Sequence, residues 1–60
     1  MRFDDYVKNK NIHLYHKKLQ VISVVGSTNS EKAVEGFLKR SSCPLHSQIL
    51  QLWREWKKSQ

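Results

Sequence analysis

The last third of the chain constrains everything before it. Between Pro44 and Lys58, the residues Leu45, Ile49, Leu52, Trp53 and Trp56 recur at i, i+4, i+7, i+8 and i+11, one stripe of a 3.6-residue helix. Gln48, Gln51, Arg54, Glu55, Lys57 and Lys58 occupy most of the remaining circumference. A tryptophan buries about 150–250 Å². Two on one face are therefore a large apolar load that must meet the rest of the chain, a second copy, a partner or a membrane.

Sixty residues make one small domain, 1–60. A domain of this size buries only about 60% of its unfolded surface and is marginal alone. The single cysteine, Cys43, cannot form an internal disulfide. His13, His16, His46 and Cys43 do not form a close ligand pair of the zinc-finger type, so neither metal nor cofactor is expected. Oligomerisation is the remaining common remedy, which predicts a homodimer. The net charge of +6, from eleven Lys and Arg against five Asp and Glu, favours nucleic acid, an anionic membrane or an acidic protein partner. No run approaches the ~18 apolar residues of a membrane span and no signal peptide is visible, so the expected location is the cytoplasm, without a membrane partner.

Residues 1–11 read either as a short helix opening at Asp4 and Asp5 or as a flexible basic arm. Ile12 to Lys18 alternates loosely, which suits a strand without excluding a helix. Leu19 to Val25 is β-branched and apolar and ends at Gly26-Ser27, the pattern of a strand and a turn. Leu19, Val21, Ser23 and Val25 then share one face, and Lys18, Gln20, Ile22 and Val24 the other. Thr28-Asn29-Ser30-Glu31 fits the S/T-x-x-E capping box and predicts a helix start. Ala33, Val34, Phe37 and Leu38 supply that helix's apolar side, with Lys39 and Arg40 at its C-terminal end. Ser41 to Pro44 breaks it, with Ser42 or Cys43 as the next N-cap. The predicted fold is α+β: a strand or hairpin followed by two helices. A lone strand needs a partner for its N–H and C=O groups, a second reason to expect a dimer.

Strand, helix, turn and helix within residues 17–60, with Phe37-Leu38 in the first helix and Ile49, Leu52, Trp53 and Trp56 in the second, resembles the ribbon-helix-helix DNA-binding family. The resemblance implies a dimeric regulator of double-stranded DNA whose paired strands enter the major groove. The outward strand residues would be Lys18, Gln20 and Ile22, with Leu19 and Val21 turned towards the helices. The N–H groups after Ser42 would hold a phosphate, and Lys17 and Arg40 would add sequence-independent attraction. The core would comprise Leu19, Val21, Phe37, Leu38, Ile49, Leu52, Trp53 and Trp56.

Val24 to Lys32 is also similar to the opening strand, loop and helix of the house-cleaning nucleoside triphosphatases. That fold needs a far longer chain and clustered metal-binding acids, so the segment reads as a turn and a cap. Cys43 and His46 at i, i+3 have the spacing of a nucleophile and its base, but no orienting third group is present; they read as a helix-start cysteine beside an exposed histidine. His13, Tyr15 and His16 before Lys17-Lys18 form a basic, aromatic cluster, either a solvated surface or a contact for phosphates and bases. No enzyme signature is present. The expected function is a small DNA-binding regulator, and the alternative is a small inhibitor or adaptor, of the kind phages and mobile elements encode, that binds another protein.

Overall fold

The computed structural model describes residues 1–40 and 44–60. Leu45–Lys58 is a helix of 14 residues, the longest described. Its buried seam is His46, Ile49, Trp53 and Trp56, with Leu45, Leu50 and Leu52 half-buried beside it. The seam is thus rotated slightly from the stripe that Leu45 and Leu52 define in the sequence. Lys57 and Lys58 in the last turn complement the helix dipole.

Among the described residues the elements are α1 (Phe3–Lys10), α2 (Ile12–Lys17), α3 (Leu19–Gly26), α4 (Glu31–Lys39) and α5 (Leu45–Lys58), with no strand. This overturns the expected strand or hairpin followed by two helices. Leu19 to Val25 has β propensity, yet Ile22 and Val25, three apart, enter the core behind Leu14. That spacing is helical. A helix also satisfies its own N–H and C=O groups, whereas a single strand in so short a chain has nothing to pair with. Burial and hydrogen bonding together outweigh the local preference.

Asn11 joins α1 to α2 by itself. Its N–H donates to the Val7 carbonyl at 2.7 Å, closing α1, and its Oδ1 accepts from the Leu14 N–H at 3.1 Å, opening α2. α2 and α3 run on across Lys18, whose backbone departs from helical geometry (φ −124, ψ 37). The Lys18 N–H still reaches the Leu14 carbonyl at 3.0 Å, and Ile22 N–H reaches the Lys18 carbonyl at 2.9 Å. The capping box at Thr28 is not formed. Ser27 and Thr28 hydroxyls donate back to the Ser23 and Val24 carbonyls, and Ser30 caps α4 by accepting from Ala33 N–H at 3.4 Å.

α1 packs on α2, α3 and α5, while α4 packs chiefly on α5. The core is Phe3, Val7, Leu14, Ile22, Val25, Val34, Leu38, Ile49, Trp53 and Trp56. Residues 1–11 therefore take the helical reading, with Phe3 and Val7 as walls of the core. Gly26 lets the end of α3 meet the start of α1: a Cβ there would lie 3.1 Å from Phe3 Cβ. Phe3 and Trp56 meet at 5.3 Å between ring centroids, and Trp56 Nε1–H donates to the Met1 carbonyl at 2.9 Å. The tryptophan face that called for a partner is covered within one chain.

Candidate nucleic-acid interface

Between Asp5 and Glu31 the sequence holds no acidic residue but four lysines, Lys8, Lys10, Lys17 and Lys18. The fold exposes Lys8, Lys10 and Lys17 and leaves Lys18 half-buried. The ion pairs found among the described residues engage Lys39 and Arg54, not these four. Lys8 Nζ stands 5.5 Å above the Tyr15 ring, and Tyr15 meets His16 edge-on at 5.5 Å, so α1 and α2 share a ladder of cation, phenol and imidazole. Lys10 Nζ lies 5.5 Å over the Tyr6 ring on α1.

The helical form of residues 12–26 decides what faces outward. Leu14, Ile22 and Val25 turn into the core. His13, His16, Lys17, Gln20 and Val24, at i, i+3, i+4, i+7 and i+11, are all exposed. At the Lys18 junction, Lys17, Lys18, Leu19 and Gln20 line a shallow depression of about 420 Å³ together with His16 and Val21. Lys17, Lys18 and Gln20, expected at a DNA contact, are therefore neighbours on one surface. Ile22, expected as an outward reader, is fully buried and cannot touch a ligand. Arg40 is exposed after α4, on a different part of the molecule's sequence and not on the wall of this depression. Ser42 lies outside the described residues, as does Cys43.

The expected core residues also divide. Leu38, Ile49, Trp53 and Trp56 are buried, and Val21 and Leu52 are half-buried. Leu19 and Phe37 are corrections: they are 46% and 39% exposed. Leu19 was misplaced because a strand alternates faces and a helix does not. Phe37 lies at the edge of the face that Val34 and Leu38 bury and remains 39% exposed. Val24, placed on the outward strand face with Lys18 and Gln20, stays outward in the helix, and Lys8, to which the sequence reading gave no role, is exposed as well.

His46 is not the exposed histidine expected beside Cys43; it is 7% exposed. Its Nδ1 lies 3.2 Å from the Leu38 carbonyl oxygen. A carbonyl only accepts, so the ring carries its proton on Nδ1 and ties α5 to the last turn of α4. Among the described residues, His46 Nε2 and Trp53 Nε1 are buried without a hydrogen-bond partner. Among the described residues no group of three His, Cys, Asp or Glu can hold a metal ion. No helix among them is long and apolar enough to cross a membrane.

No protein-family model, curated protein or solved structure matches the chain.

Proposed function

We propose that this chain is a small nucleic-acid-binding domain whose first contact is electrostatic and directed to phosphates. One observation carries the reading: Lys8, Lys10, Lys17 and Lys18 lie in a run without acidic residues, and three of them are exposed. Exposed lysines that no carboxylate pairs among the described residues attract a polyanion and release its counterions on binding. Lysines interleaved with Tyr6, Tyr15 and His16 also match a surface that touches both backbone and bases. This reading needs no strand.

Fluorescence anisotropy with a labelled 20-bp duplex over a series of salt concentrations tests it. With about four phosphates neutralised, log K should fall against log salt with a slope of roughly −3 to −4. Lys17→Glu with Lys18→Glu should flatten that slope and weaken all sequences alike, whereas Lys57→Glu with Lys58→Glu should change it less. An absence of duplex binding at low salt would remove the reading. It would also remove it if the Lys17 and Lys18 reversals had no effect.

A second reading, a protein adaptor or inhibitor, draws on a different surface. Phe37 is 39% exposed on α4, next to Gly36, whose Cβ position meets nothing within 4 Å. A single stoichiometric protein partner, lost on Phe37→Ser and indifferent to nuclease, would favour that reading.

A further inference from the structure

We draw no further inference here: the strongest candidate, the cleft of about 340 Å³ between α1 and the end of α5 walled by Tyr6, Asn9, Lys10 and Trp56, has its two rings already under the Lys10 and Lys57 ammonium groups, and nothing in the structure shows what occupies it.

Discussion

The two ends of the molecule treat charge in opposite ways. From Tyr6 to Ser30 there are four lysines and no acid, and no ion pair is found there among the described residues. From Glu31 onward, six basic residues face three acidic ones. There Arg54 reaches Glu35 at 3.2 Å and Glu31 at 3.5 Å, and Lys39 reaches Glu35 at 3.8 Å, pinning α4 to α5 across their exposed edges. The difference teaches that net charge alone is a poor guide to a binding surface. Both regions are positive, but among the described residues the second ties two of its six basic side chains, Lys39 and Arg54, to carboxylates and the first ties none.

Three substitutions break or sharpen this contrast, in decreasing order of effect. Trp53 belongs to α5, yet it is 3% exposed in the core that α1 and α3 also line. Trp53→Ala should cost about 3–5 kcal/mol. Thermal unfolding followed by circular dichroism should show the whole helical signal lost in one transition. A residual folded population of α1–α3 would show that the regions differ in stability as well as in charge.

His46→Leu comes next and acts within the α4–α5 region alone. It leaves the Leu38 carbonyl without its ring donor but also removes the unpartnered Nε2, so the net loss should be about 1–2 kcal/mol. Denaturant unfolding measures this. Duplex affinity of the folded protein should stay at the parent value, and a parallel loss of affinity would tie the two regions together.

Arg54→Met is the mildest. Arg54 and its partners are substantially exposed, and exposed pairs are worth about 0–1 kcal/mol. The midpoint of unfolding should fall slightly in low salt and hardly at all in high salt, where screening has already weakened the pairs. A large loss would mean that the charges of α4 and α5 hold the region together more than its apolar seam does.

How much of this was legible in the sequence differs along the chain. α5 was readable because five large apolar residues share one period over fourteen positions, and nothing in the stretch competes with a helix. α4 was readable from Ser30-Glu31 and from the pair Val34 and Leu38, though the cap belongs to Ser30 and not to Thr28. Leu19 to Val25 was misread because five of its seven residues are apolar. A run that dense carries no periodicity, so β-branching alone tipped the balance. The information that decides it lies eight residues earlier, at Leu14, which shares a helical face with Ile22 and Val25 and shares none with them if residues 12–18 and 19–25 are separate strands. The same slip moved Ile22 from core to surface and Leu19 from surface to core. Lys17 and Gln20 fall outward in the helix as well, so the proposed contact surface does not depend on a strand.

The hydrogen bond from the Trp56 indole to the Met1 carbonyl, together with the Phe3 ring against Trp56, has a kinetic consequence. It joins positions 55 residues apart. Closing a loop of that length costs on the order of 3–4 kcal/mol of chain entropy, far more than forming any of the short helices beside their neighbours. Helical hairpins such as α1–α2 and α4–α5 are local and form early, and the seating of α1 on α5 completes the fold. Trp56 is therefore placed to report the last step of folding, while circular dichroism reports the first.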